Sequence, residues 1–379
     1  MSISTNYKFV RTFLIATLGF IFLASCGESE KITLDVVSTS SSTTTLTSTT
    51  SPVVATTETV IATTATTINP KEWVGPRHPL TGLPALEGVI PRPALTVKIG
   101  NNDTNSLPHE GLAEADIVYE ALIEAGKTRF LGVYQSSLPQ RIAPVRSARS
   151  TDISLIGNLS NPHFAYWGSN EGVGVEVEEA ERSGTFIRQS AEINTTEAFS
   201  RDSLRGNPPY DGVLDPSYLI GDVPGSAPIA IFDYGALPIS AVSTLGLRWE
   251  TGGRVIEYLW DEQSSNWKRF QDGSPLIDSN GIQLNSENVI LLYVDYYRSK
   301  SDPNSPQAQS TGSGDGWLLR NGKIAGITWD RQFEALKWSF YDDDTGELVN
   351  LDHGRTWVAL ANLGEASLLT PMEVVALTG

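Results

Sequence analysis

The sequence predicts two folded parts, an α/β domain followed by a mostly antiparallel β domain. Three observations carry this. Between about Pro79 and Asp222, β-type runs alternate with stretches of helical spacing. After Ile229 the runs become almost wholly strand-like, and seven of the nine tryptophans lie there. Within that second part Asn321-Gly322 separates two strand-like runs, a strong hairpin signal because both residues tolerate positive φ. The 379 residues, 40% of them hydrophobic, suffice for roughly two or three domains with their own cores.

Two further segments precede these parts. Lys8 and Arg11 lead into the apolar run Phe13–Ala24, 12 residues long, and no acid occurs before Glu28. The run is too short for an ordinary spanning helix and reads as the core of a secretory signal. It ends in Leu23-Ala24-Ser25-Cys26. This resembles the lipobox of bacterial lipoprotein precursors, in which the cysteine takes a diacylglycerol. Residues 1–25 are therefore expected to be the signal peptide and Cys26 the lipidation site, with two acyl chains giving stable anchoring. Cys26 is also the sole cysteine, so an internal disulfide or a multi-thiolate metal site is excluded. Residues 26–72 read as a tether: Ser38–Thr67 holds 20 Ser or Thr in 30 residues, too little apolar surface to offset the entropy of ordering. No later apolar run is long enough to span a membrane.

Charge narrows the partners. The whole chain carries −17, and without the signal 25 Lys+Arg stand against 44 Asp+Glu, a net −19. Phosphate backbones need a basic footprint, so nucleic acid is not an expected partner. An anionic ectodomain is also repelled by an anionic membrane surface, which suits a long tether.

Along 73–228, Ala94–Ile99, Ile117–Leu122, Phe130–Tyr134 and His163–Trp167 read as strands. Leu112–Ile117 reads as a short helix or turn, and Thr151–Leu159 has helical spacing. Along 229–379, Arg254–Trp260, Val289–Tyr297, Gly316–Arg320, Lys323–Trp329 and Thr356–Leu360 read as strands.

A succession of short motifs adds a resemblance. Pro79-Leu80-Thr81-Gly82, Arg92-Pro93, Ala115-Asp116-Ile117-Val118-Tyr119-Glu120, Thr128-Arg129-Phe130 and, most specific, Pro144-Val145-Arg146-Ser147-Ala148-Arg149 occur in order. Asn288-Val289-Ile290, Thr311-Gly312-Ser313-Gly314 and Gly354-Arg355-Thr356-Trp357 follow. Over roughly residues 79–362 the chain resembles the YerB-like bacterial lipoproteins, built from an N-terminal and a C-terminal domain of unknown function. The resemblance implies a tethered envelope protein and no established reaction.

Arg146 and Arg149, three residues apart, can line one turn, and Arg129 can join them from a neighbouring strand. Each guanidinium can hold a carboxylate or phosphate in bidentate fashion. These three residues with Ser147 are the candidate ligand site, and the bland alternative is a structural network with Asp116, Glu120 or Asp152. Asp116 and Glu120 are the candidate acid partners, or an acid–base pair in a hydrolase or transferase that could use Ser147 as nucleophile. Other motifs read as structure. Gly126-Lys127-Thr128 lacks the first glycine of a phosphate loop, where Ala121 stands, so no nucleotide is expected. Ser265-Asn266-Trp267-Lys268 has no Lys-Thr-Gly partner and reads as a hairpin. His78, His109, His163 and His353 have no metal-ligand spacing, and neither a metal nor a cofactor is expected. The acidic run Glu176–Glu181 reads as solvated surface, Asp342-Asp343-Asp344-Thr345-Gly346 as a turn, and the late tryptophans as core.

Together these readings give a lipid-anchored protein on the outer face of the bacterial cytoplasmic membrane, or of an outer membrane where the source has one. It is expected to bind a cell-wall polymer or envelope enzymes through its arginines, with wall hydrolysis or transfer as the rival.

Overall fold

The hairpin expected at Asn321-Gly322 forms, with φ of 51° and 67° at its two turn residues and Arg320 paired to Lys323. It belongs to a computed structural model that describes residues 69–193, 197–220, 225–236 and 240–379. The expected signal peptide, Cys26 and the tether as far as residue 68 lie outside the described residues, whereas residues 70–72 belong to the folded part, with Pro70 O accepting from Arg77 and Lys71 near Asp352.

In chain order the main elements are β1 (Leu95–Asn101), β2 (Ile117–Leu122), β3 (Thr128–Tyr134), α1 (Ser150–Ile156), β4 (His163–Tyr166), α2 (Glu171–Arg182) and β5 (Ile187–Ser190). They continue with β6 (Gly246–Thr251), β7 (Arg254–Asp261), β8 (Asn266–Gln271), β9 (Asn288–Tyr293), β10 (Gly312–Arg320), β11 (Lys323–Arg331), β12 (Ser339–Asp342), β13 (Thr356–Ala361) and α3 (Pro371–Thr378). One large sheet runs β12-β11-β10-β9-β13-β2-β3-β1-β4-β5, with Val242–Ser243 added on β11.

The late strand β13 is the joint of this sheet. It lies parallel to both β9 and β2, with Thr356 opposite Asn288 on one side and Ile117 on the other. All six of its residues, Thr-Trp-Val-Ala-Leu-Ala, are buried, as expected for a strand covered on both faces. Strands from either side of residue 228 are thus hydrogen-bonded neighbours, and Pro70–Gly379 forms one compact unit.

The later part is mostly antiparallel, as the sequence suggests. Both β9–β10 and β10–β11 are antiparallel, and a second sheet of β8, β7, β6 and short edge strands is antiparallel throughout. The earlier part corrects the α/β expectation: it is sheet-rich and mixed. The connection from β2 to β3 spans residues 123–127, far too short for a crossover helix, so these strands pair antiparallel. β3 then pairs antiparallel with β1, and β4–α2–β5 supplies a parallel crossover.

Side-chain alternation divides the core between the sheet faces. Tyr119, Leu131, Val358 and Ile290 pack with Leu155 and Ile156 of α1 and Val173 and Val177 of α2. On the other face Val97, Phe130, Leu291 and Trp357 meet Trp249, Ile256 and Trp267 of the second sheet. Trp249, Trp267, Trp329, Trp338 and Trp357 are buried, and Trp260 and Trp317 pack at the edge of the core. Of the acidic run on α2, Glu178 and Glu179 face solvent, whereas Glu176 turns inward and accepts from the Ser150 and Ser301 hydroxyls; the buried positions Val173, Val177 and Ala180 follow helical spacing behind an Asn170 cap. Ser265 lies in the β7–β8 hairpin, and Asp342 accepts the amides of Asp344 and Thr345 in a turn. No helix among the described residues is long and apolar enough to cross a membrane.

Candidate functional site

The Pro144–Arg149 segment is held in place by backbone hydrogen bonds before it contributes any side chain. Gly100 N donates to Pro144 O at 2.9 Å and Arg146 N to Lys98 O at 2.8 Å, tying the segment to β1. Trp167 N donates to Arg146 O at 3.0 Å, tying it to the end of β4. α1 begins immediately afterwards at Ser150, where Arg149 N donates to the Asp152 carboxylate at 2.8 Å. Arg129 enters from β3, opposite Gly100 of β1.

These constraints gather Arg129, Arg146 and Arg149 around one spot, together with a cation the motifs do not advertise. Lys98 stands in the buried strand Leu-Thr-Val-Lys-Ile-Gly-Asn and pairs with Asp152 at 2.5 Å, both side chains sealed from solvent. Arg149 pairs with Glu124, Nη2 to Oε1 at 3.0 Å. The other two guanidiniums have no such partner. Arg129 is 5% exposed and Arg146 7%, and neither makes a salt bridge among the described residues. Arg129 Nη1 donates to Ser147 O at 3.1 Å and Arg146 Nη1 to Pro209 O at 2.8 Å, while both Nε atoms lack an acceptor. Arg146 also lies over the Tyr210 ring, 5.2 Å from its centroid.

Two cations in this cluster are therefore compensated by carboxylates and two are not. The electrostatics reflect it. Burial, then Arg149 and Arg146, pulls the Arg129 guanidinium down to about 9, with Glu124 and Asp152 opposing from a distance. Burial chiefly lowers Arg146, with Arg149 adding to it and Tyr210 and Asp103 opposing. Desolvating a charge is costly without a counter-ion, so the two guanidiniums carry an electrostatic cost that no salt bridge among the described residues offsets. Ser147 is partly exposed and lends its carbonyl to Arg129.

The two acids proposed as partners sit elsewhere. Asp116 is buried at the start of β2 and accepts from Gln135 N at 2.6 Å, Ser136 N at 2.9 Å and the Ser136 hydroxyl. Burial raises its pKa against these donors. Glu120 is fully buried among Arg269 Nη2 at 2.9 and 3.0 Å, Trp357 Nε1 at 3.0 Å and Thr128 Oγ1 at 2.8 Å. Neither pairs with Arg129, Arg146 or Arg149. Their side chains answer a local turn and an arginine of the second sheet instead, and the cluster's acids are Glu124 and Asp152. Sequence reasoning missed Lys98 and Glu124. A lone lysine inside an apolar strand was the available signal for the first, and nothing local marks the second.

Glu124 also forms part of an open cleft of about 440 Å³. The turn Ile123–Gly126 makes one wall and the ribbon of Tyr296–Arg298 paired with Pro306–Ala308 makes the other. The four histidines share no cluster, and no group of three or more His, Cys, Asp or Glu residues that could hold a metal occurs among the described residues.

These features define a class: a sheet-rich protein in which a mixed sheet carries a buried arginine cluster and faces an antiparallel sheet. The N-terminal domain of DUF3048, a protein family of unknown function, matches residues 80–220, and its C-terminal domain matches 245–358. The chain belongs to this YerB-like family. It is 25% identical over 302 residues to the "Putative lipoprotein YerB" of Bacillus subtilis (strain 168), covering 76% of this chain and 88% of that one. The crystal structure of the YerB protein from Bacillus subtilis shares the fold, with a TM-score of 0.65 at 23% identity over 78% of this chain and 99% of that one.

Proposed function

We propose that the protein is anchored through a diacylated Cys26 outside the cytoplasmic membrane and binds an anionic cell-wall polymer at Arg129 and Arg146. The observation that carries the reading is the pair of nearly buried guanidiniums that make no salt bridge among the described residues, Glu124, Asp152 and Asp103 acting on them only from beyond ion-pair distance. A purely structural cluster would gain from an acid at this spot, and an anion-binding site must leave it open. The similarity to a protein described as a putative lipoprotein, together with Leu23-Ala24-Ser25-Cys26, supports the anchor.

Two measurements test this. Cys26→Ala should move the full chain from the membrane fraction to the soluble fraction and abolish incorporation of labelled fatty acid; continued membrane retention and labelling would overturn the anchor. Full-length protein in detergent should sediment with isolated cell walls and lose this when phosphate-linked polymers are stripped from them. Arg146→Ala should lose it too. Equal sedimentation by wild type and Arg146→Ala would overturn the polymer reading.

A further inference from the structure

We infer that the cleft between the 123–126 turn and the 296–306 ribbon is a saccharide subsite, joined to the arginine cluster through Glu124, that holds the sugar of an anionic glycan. The inference rests on the polymer reading above and adds the chemistry that surrounds the charged group.

Size and lining both favour a sugar. A volume of about 440 Å³ falls within the roughly 300–1,000 Å³ of small-molecule clefts. The walls mix an aromatic ring, amides and a cation, Tyr297, Asn304, Asn362 and Arg298, with the buried Ser305 hydroxyl committed to Glu124 and Asp302 behind them. Tyr297 is 43% exposed, leaving a face for the C–H side of a pyranose ring. The side chains of Arg298 and Asn304 are exposed and make no hydrogen bond or ion pair among the described residues. Asn362 donates its amide to Glu365 at 2.8 Å, which fixes the group and leaves its carbonyl as an acceptor. An apolar ligand would strand the Arg298 guanidinium and the Asn304 amide, whereas sugar hydroxyls satisfy donors and acceptors together.

Position links the cleft to the charges. Glu124 is shared: its carboxylate pairs with Arg149 on the cluster side and accepts from the Ser305 hydroxyl on the cleft side. The turn that carries it is held by left-handed backbone at Ala125 and Gly126, φ 60° and 65°. A polymer unit with its sugar in the cleft would present its anionic substituent past Glu124 toward Arg129 and Arg146.

Calorimetry on the full-length protein in detergent separates the two sites. The probes are inorganic phosphate, tri-N-acetylglucosamine as neutral glycan, N-acetylglucosamine 1-phosphate, and tri-alanine. The variants are Tyr297→Ala/Asn304→Ala in the cleft and Arg146→Ala in the cluster. The sugar phosphate should bind at least tenfold tighter than phosphate in wild type, and the cleft variant should erase that gain while leaving phosphate binding unchanged. Equal affinity for phosphate and sugar phosphate, insensitive to the cleft variant, would overturn the subsite and leave the arginine reading standing. Phosphate binding absent, but tri-N-acetylglucosamine bound and lost in the cleft variant, would uphold the subsite and overturn the arginine reading. Binding of neither, or of tri-alanine in preference to the glycan, would overturn the subsite.

Discussion

Glu120 of β2 and Arg269 of β8 form an ion pair sealed from solvent on both sides, with Arg269 Nη2 2.9 and 3.0 Å from the two carboxylate oxygens. The pair crosses between the two sheets, and 149 sequence positions separate its members. Trp357 and Tyr258 flank the guanidinium at 5.5 and 5.3 Å, and Thr128 and Trp357 donate to the carboxylate. Beside it Asn101 and Gln271 exchange two hydrogen bonds, 2.8 and 3.0 Å long. The sheets are therefore joined by a polar network inside an apolar interface, in which both Glu120 oxygens are hydrogen-bonded and only Arg269 Nε lacks an acceptor among the described residues.

The first prediction follows from this pair. Glu120→Gln keeps the shape and the acceptor for Trp357 but leaves Arg269 charged and uncompensated. Breaking one side of a buried pair costs about 3–5 kcal/mol. Urea unfolding of the variant should show a loss of that size. Glu120→Gln/Arg269→Met, which removes both charges, should lose clearly less than the sum of the single variants. A loss below about 1 kcal/mol for Glu120→Gln would show that the pair does not hold the sheets.

Acid should weaken the fold through buried histidine. His109 is fully buried, donates Nε2 to Gly100 O at 2.8 Å, and packs edge-on to Phe130. Burial pushes it down to about 4, the Gly100 bond partly opposing, against an ordinary 6.5. Between these values the unfolded chain binds a proton that the folded chain refuses. Stability is thus present above pH 6.5 and lost as pH falls toward 4, by about 3 kcal/mol if His109 acts alone. Burial lowers His78 and His163 as well, adding loss of the same sign. The fall in unfolding free energy from pH 7 to 4.5 should be measurably shallower in His109→Gln. An unchanged slope would remove His109 as its source.

The elements legible in the sequence were those whose signal is local. Ile117–Leu122 is legible with its actual bounds, because a short run of apolar residues interrupted only by Glu120 and set between turn signals reads as a buried strand. The Asn321-Gly322 hairpin was legible because its turn chemistry fixes it. The mixed character of the first part was not, since nothing within β2 announces that its other neighbour, β13, lies more than two hundred residues away. α2 hid behind its own charges: Val173, Val177 and Ala180 are too few to stand out among its glutamates. At the site, the arginines were visible as a motif, but their counter-ions are set by tertiary contact. Glu120, apparently close to Arg129, turned out to serve Arg269 across the interface.

The hairpin provides a third prediction. Gly322 adopts φ of 67°, and a Cβ there would meet Trp260 Nε1 at 2.9 Å. Gly322→Val should therefore cost about 1–2 kcal/mol for the left-handed backbone alone, with the crowded indole adding to it. Differential scanning calorimetry should show a lower thermal midpoint. An unchanged midpoint would mean that the turn relaxes freely and does not fix the β10–β11 register.

Gly100 gives the last prediction, because it reaches Arg146 without altering a charge. Its ideal Cβ would lie 2.6 Å from Arg146 Cγ and 3.3 Å from Cδ, near the root of the side chain where little can yield. Gly100→Ala should push the guanidinium off Pro209 O and away from Arg129, at an overpacking cost of about 1–3 kcal/mol. Losing one charge-assisted contact to a bound anion is worth about 1.5–3 kcal/mol, so phosphate affinity should fall about tenfold or more. Gly252→Ala, where a Cβ meets nothing within 4 Å, serves as the control and should leave both stability and phosphate binding unchanged. If Gly100→Ala lowers stability while phosphate affinity stays at the wild-type value, Arg146 packs against β1 as structure and takes no part in holding the anion.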